Sequence, residues 1–258
     1  MKEWYLQKGK PYFFSALEQE EFDEYLSLGA FREVLDTSPI AGDARICQSR
    51  ITEEGVAIRC VMQNRTNDSI DSTAERQLLT EIGTMAGHNY VQYKDEWYIV
   101  ASDNGENGVY EKCVLWKCNV PLRFVSPVSG EIVEYPVYMV NATKYSSGEK
   151  TGKNITIETS QFSILIPYNE ETIKLRNGTR FLVDLDDEIP TAYRITQIDA
   201  INYRYKTHAL LMYMAVADEF NPLTDDAKLG VADMYTPQDR LEEKGEDLPE
   251  TSEESWWD

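Results

Sequence analysis

Tyr90-Val91-Gln92-Tyr93-Lys94-Asp95-Glu96-Trp97-Tyr98-Ile99-Val100-Ala101 is the stretch on which the fold turns. β-Branched and aromatic residues fill both halves, and the polar run Lys94-Asp95-Glu96 separates them. Two strands, Tyr90–Tyr93 and Trp97–Ala101, joined by a tight turn account for that pattern. Upstream, Val56, Ile58, Cys60 and Met62 alternate with Ala57, Arg59, Val61 and Gln63. A period of two is that of a strand, whose successive side chains point to opposite faces. Arg45–Ile51 is expected to pair with Val56–Gln63 across Thr52-Glu53-Glu54-Gly55. Asn104-Gly105 and Asn107-Gly108 supply the next turn.

Downstream the strands continue. Val109–Asn119 leads through Pro121 to Leu122–Val125, and Ser126-Pro127-Val128-Ser129-Gly130 turns into Glu131–Asn141. Beyond a polar loop at Lys144–Lys153 come an alternation around Ile155 and Ile157, then Gln161–Pro167, and an Asn177-Gly178 turn before Phe181–Leu185. Ile201, Tyr203 and Tyr205 alternate with polar residues and predict another strand. Ala209–Ala217 is the longest apolar run; its nine residues are half of what a membrane helix needs, so it reads as a buried strand. The chain is therefore expected to be mainly β, an antiparallel β-barrel or sandwich with an N-terminal helix and an acidic C-terminal tail. The helix is marked by Ser15 as N-cap with Glu18 three residues on, a partial stripe of Leu17, Phe22, Tyr25 and Leu26, and Gly29 as a stop. The expected organisation is a helical arm over 1–43, a β-barrel domain over 44–120, a second β region over 121–218 and an extended acidic tail over 219–258.

Charge and chemistry limit the function classes. Lys and Arg number 25 against 45 Asp and Glu, a formal net charge of −20. Phosphate recognition draws on cations that displace counterions, so this balance argues against nucleic-acid binding. No apolar leader follows Met1-Lys2-Glu3-Trp4-Tyr5, and a cytoplasmic origin without membrane insertion is expected. Cys47, Cys60, Cys113 and Cys118 read as small buried hydrophobes. His88 and His208 each fall in a turn, are expected at the surface, and have no metal-ligand spacing. Ser147-x-x-Lys150, Ser102-Asp103-Asn104 and Lys150-Thr151-Gly152 match the motif strings of β-lactamases, but in the wrong order and with Lys150 shared. Gly148 to Lys153 lacks the spacing and the Ser or Thr of a P-loop. The acidic run Asp184, Asp186, Asp187, Glu188 has no calcium-loop spacing and reads as a solvated loop. No catalytic, cofactor or metal residue is assigned, and the chain is expected not to be an enzyme. From Asp239 to Asp258 nine acidic residues face two basic ones, and the run ends in Trp256-Trp257. Two exposed Trp suit an interface anchor. Trp256 and Trp257, with Phe22 and Tyr25 of the N-terminal helix, are the expected partner-docking residues.

Several strings resemble one family. They are Val61-Met62-Gln63-Asn64-Arg65-Thr66-Asn67-Asp68, Arg76-Gln77-Leu78-Leu79, Ile82-Gly83-Thr84, Tyr90 to Val100, Tyr110-Glu111-Lys112-Cys113, Glu219-Phe220-Asn221-Pro222, Asp225-Asp226 and Leu229-Gly230-Val231-Ala232-Asp233. Together, over roughly residues 55 to 235, they resemble the head–tail joining proteins of tailed phages of Gram-positive bacteria, the connector, adaptor or head-closure components of the neck. The resemblance implies a virion protein at the head–tail interface, made in the host cytoplasm. It implies a ring of six or twelve copies. The implied neighbours are a portal or adaptor protein and a tail tube or tail terminator protein, with phage DNA passing through the lumen without specific binding. A wall of excess negative charge would let DNA slide without sticking. Another tail or collar protein, a carbohydrate-binding β module and an acidic DNA mimic are the competing readings.

Overall fold

The computed structural model describes residues 29–52, 54–64, 74–141, 161–183 and 190–236. The described chain is mainly β and antiparallel, with one short helix near the N-terminus. That helix, α1, runs over 29–37. Seven strands follow: β1 Ala41–Cys47, β2 Val56–Asn64, β3 Glu75–Thr80, β4 Tyr90–Tyr93, β5 Glu96–Val100, β6 Gly105–Glu106 and β7 Glu111–Lys117. They form one sheet in the order β3-β2-β1-β4-β5-β7-β6, and β3 also pairs with β7. That last pairing, Glu75↔Trp116 through Thr80↔Glu111, closes the sheet into a barrel. Its interior holds Ile46, Cys60, Leu78, Val91, Val100 and Leu115, all buried.

The second sheet contains β8 Val120–Val125, β9 Ile132–Asn141, β10 Gln161–Pro167, β11 Arg180–Val183, β12 Thr191–Asp199 and β13 Leu210–Asp218, in the order β11-β12-β13-β10-β9-β8. Its core is continuous with the outside of the barrel. Cys47, Tyr90 and Ile99 belong to the same buried cluster as Leu122, Tyr135, Ile164, Phe181 and Tyr213. On β4 and β5, then, Val91, Tyr98 and Val100 fill the barrel while Tyr90 and Ile99 face the other sheet. Away from the turn both faces of this hairpin are buried, which is why Tyr90-Val91 and Tyr98-Ile99-Val100 are wholly apolar and aromatic.

The α1 helix covers a different side of the barrel. Phe31 and Leu35, four apart and so on one face, pack on Val61 and Leu79. Arg59 of β2 donates from Nε and Nη2 to the Leu35 carbonyl, at 3.0 and 2.9 Å, satisfying an oxygen that the helix end leaves free. Arg32 forks onto Glu81 at 2.7 and 2.9 Å.

Five expectations are corrected. Gly29 does not end a helix but lies in α1, and Phe31 and Leu35 after it form the helix's apolar face. The strand expected at Arg45–Ile51 is Ala41–Cys47, since Arg45 pairs with Ala57 and the chain turns away after Cys47. The strand expected around Ile201–Tyr205 is a turn: Asp199 Oδ1 accepts from the amides of Ile201 and Asn202, at 2.8 and 3.1 Å, and folds the chain back. His208 is buried rather than at the surface, because the turn that carries it docks on the barrel. Finally, 219–236, assigned above to the extended tail, packs on the second sheet: Ala232 and Phe220 join Leu182 and Ala192 in one cluster. The expected residues Phe22, Tyr25, Trp256 and Trp257, the Lys144–Lys153 loop and the Asp184–Glu188 run lie outside the described residues.

Candidate interaction surfaces

Among the described residues, the thiols of Cys47, Cys60 and Cys113 and several carboxylates are buried. Burial pushes the Cys60 thiol up to about 11, and drives those of Cys113 and Cys118 upward too. A thiol so shifted is protonated at neutral pH and a poor nucleophile. Glu111 of β7 is buried inside one end of the barrel, where it accepts from the Met85 amide at 3.0 Å. Burial raises its pKa, and the nearby Glu106 adds to the rise. Among the described residues no group of three or more His, Cys, Asp or Glu is placed to hold a metal ion.

Two buried carboxylates tie distant segments together. Glu171, just before the 3-10 turn Thr172–Lys174, accepts from Ser126 Oγ at 2.9 Å and from the Tyr135 hydroxyl at 2.6 Å. Arg50, from the loop between β1 and β2, reaches across to the same carboxylate at 2.9 Å. Asn169 Nδ2 donates in turn to the Tyr135 oxygen at 2.9 Å. Burial, and then the bond to Glu171, raises the Tyr135 pKa. The second carboxylate, Asp225, receives both terminal nitrogens of Arg180 at 2.9 Å. It also accepts from the amides of Asn221 and Asp233 and from Thr224 Oγ1. Desolvation works against its charge, but these donors hold its pKa below the usual value. Arg180 also bonds Asp233 at 2.7 Å and the Glu219 carbonyl at 2.6 Å, so one guanidinium fastens the 219–233 segment to β11.

Two concave features stand out among the described residues. An open groove of about 390 Å³ runs beside β6 and β7, lined by Asp103, Glu106, Asn107, Tyr110 and Lys112 among others. Its one lining thiol, Cys113, is kept protonated. An apolar pocket of about 120 Å³ lies where the sheets meet, lined by Trp116, Tyr138, Val140, Leu165, Tyr203 and Met212. Trp116 and Tyr138 face one another there with ring centroids 5.0 Å apart. Neither feature brings an activated nucleophile and a base together. Nothing in the local sequence marked Glu171, Arg50, Asp225 or Arg180 as partners; only the pairing of strands far apart in the chain brings them together.

Residues 23–117 match the model of a family described as the YomX N-terminal domain. That family is named after a protein of a prophage-like region of Bacillus, and the match, over little more than a third of the chain, suggests a phage origin. None of the curated proteins compared with the chain matches it. Among solved structures, MrkH, described as a c-di-GMP-dependent transcription regulatory factor, is similar at 10% identity over 80% of this chain and 87% of that one, with a TM-score of 0.23. MrkH of K. pneumonia in its apo state gives 10% identity over 80% and 88%, with a TM-score of 0.25. Scores this low fall short of a shared fold. No helix among the described residues is long and apolar enough to cross a membrane.

Proposed function

We propose that the chain is a structural part of a tailed-phage particle, acting by assembly rather than catalysis, and that it sits in the neck joining the capsid portal to the tail. The observation that carries this reading is the match of residues 23–117 to a phage-region family, over the part of the chain that contains the closed barrel. It is supported by the commitment of the buried carboxylates to structural bonds and by the protonated thiols. The net charge of −20 fits a lumen through which DNA slides without adhering. In this reading six or twelve copies form a ring by heterologous contacts, with a portal or adaptor protein on one side and a tail tube or terminator protein on the other. Phe22, Tyr25, Trp256 and Trp257 are the side chains proposed to dock those neighbours.

Mass spectrometry of purified virions is the first test. The protein is expected at a copy number matching a ring; its absence from particles rejects a virion role. Cryo-electron microscopy of the neck then decides position. Density for the two sheets elsewhere in the particle rejects the neck placement while leaving the virion role intact.

A further inference from the structure

His88 and His208 are the two histidines of the sequence, and the fold joins the segments that carry them. The amide of Gly87, one residue before His88, donates to the carbonyl of Thr207, one residue before His208, at 3.0 Å. This bond links the β3–β4 loop of the barrel to the β12–β13 turn of the second sheet. The same turn touches the barrel twice more. The Tyr205 hydroxyl donates to the Ala101 carbonyl at 2.8 Å, and His208 Nε2 lies 3.0 Å from the Val100 carbonyl oxygen.

A carbonyl oxygen can only accept, so Nε2 carries a proton. Nδ1 is then free to accept from the Thr207 hydroxyl, 3.2 Å away. His208 is 7% exposed, and its ring lies against Tyr205, with centroids 4.7 Å apart. These two bonds fix the tautomer of the neutral imidazole. Adding a proton at Nδ1 leaves hydrogen bonding possible, because the Thr207 hydroxyl can turn to accept, but it puts a cation in a buried junction.

Among the titratable and charged groups of the elements packed around His208, Asp103 is the one that acts on its charge. Asp103, just past β5, favours the cation. Tyr203, Arg204, Tyr205 and Lys206 belong to the same turn, Arg204 lying over the Tyr168 ring, and His88 stands on the loop across the Gly87–Thr207 bond. Behind that loop, Glu111 holds the Met85 amide. We propose that His208 is a proton-operated latch: neutral, it holds the β12–β13 turn on the barrel; protonated, it releases the turn and opens this edge of the junction. The other ties, Tyr90 hydroxyl to the Pro136 carbonyl and Arg50 to Glu171, do not pass through this turn. Release is therefore local. The proposal does not depend on the neck reading.

The direction of the pH effect follows from linkage. Burial, outweighing the Val100 carbonyl and Asp103, holds the His208 pKa below its usual 6.5. The closed latch thus binds the proton less readily than the open one. Latching is complete above about 6.5 and is lost as pH falls from there through the closed-state value.

Hydrogen exchange of the Gly87 amide in the full chain, followed by NMR from about pH 7.5 to about pH 5, spans the range in which a histidine switches. Protection, corrected for the intrinsic rate, is expected to fall by up to about tenfold per pH unit within the titration window, the limit for one linked proton. H208Q retains an amide N–H but cannot titrate, and its protection is expected to stay flat. Flat protection in the wild type, or an equal slope in H208Q, overturns the latch. Should H208Q fail to fold, the wild-type His208 ring resonances decide. They must titrate below 6.5 in step with Gly87 opening, and titration at or above 6.5, or out of step with opening, overturns it.

Discussion

Asp225 has no exposed side-chain surface, and its negative charge persists there only because Arg180, two backbone amides and a hydroxyl point at it. Asp225→Asn removes the charge and turns one acceptor into a donor facing the guanidinium. Breaking a buried pair from one side costs about 3–5 kcal/mol, so urea unfolding of D225N is expected to show a loss of that size. An unchanged midpoint would show that the Asp225–Arg180 pair contributes nothing to stability beyond the apolar packing of Phe220 and Ala232. The acid limb carries the same information. Because the folded-state pKa of Asp225 is depressed below 3.8, its contribution is present above that value and is lost as pH falls through the folded one. D225N should therefore unfold with a shallower acid dependence than the wild type. At this scale the sequence revealed least. His208 looked like a surface turn residue and Asp225 like part of a tail, because the groups that bury them, Val100 and Arg180, are far away in the chain. Burial of a polar residue is a property of its partners, which local composition does not register.

Elements were more legible where both faces of a strand, or a regular alternation, left a signal. The β4–β5 hairpin pairs Tyr90 with Ile99 and Tyr93 with Glu96, around a two-residue turn in which Lys94 and Asp95 have φ of 50° and 63°. Positive φ at both positions is what a type I′ turn requires, and Gly takes it without a Cβ penalty. Asp95→Gly is expected to stabilise the protein by roughly 0.5–1 kcal/mol, read as a higher thermal midpoint. A lower midpoint would mean that the Asp95 side chain contributes more than its backbone strain removes. Gly29 gives the opposite kind of test. A glycine that stops a helix resists replacement, but Gly29 is helical, has no positive φ and has open space where a Cβ would go. G29A is thus expected to gain about 0.5–1 kcal/mol; a loss would restore the expected stop. β12 escaped detection for a physical reason. Its register shifts between Ile195 and Gln197, and a bulge of this kind breaks the period of two that identifies a strand. The reverse error at Ile201–Tyr205 arose because a turn folded by Asp199 happens to alternate apolar and polar residues.

For the whole molecule, length and composition left open whether the β region was one body or two. The two sheets are distinct in hydrogen bonding, yet they share a hydrophobic cluster, and this decides how the protein should unfold. Tyr90 is fully buried at the seam, stacks edge-on with Trp97 at 5.9 Å, and donates its hydroxyl to the Pro136 carbonyl at 2.7 Å. Separating the sheets would expose Tyr90, Ile99 and Tyr138 and strand Glu171 without Arg50. Each aromatic uncovered forfeits about 1.5–3 kcal/mol of burial, so an isolated sheet lies well above the joined state. Equilibrium unfolding is therefore expected as one transition, with the calorimetric and van't Hoff enthalpies equal. Trp97 and Trp116 both lie at the junction, and their fluorescence should change at the same denaturant concentration as the far-ultraviolet signal of the strands. Removing only the hydroxyl, in Tyr90→Phe, should cost about 1–3 kcal/mol by leaving the buried Pro136 carbonyl unpaired, and should shift the single transition without splitting it. Two resolved steps in the wild type would mean that the shared cluster is too weak to couple the sheets.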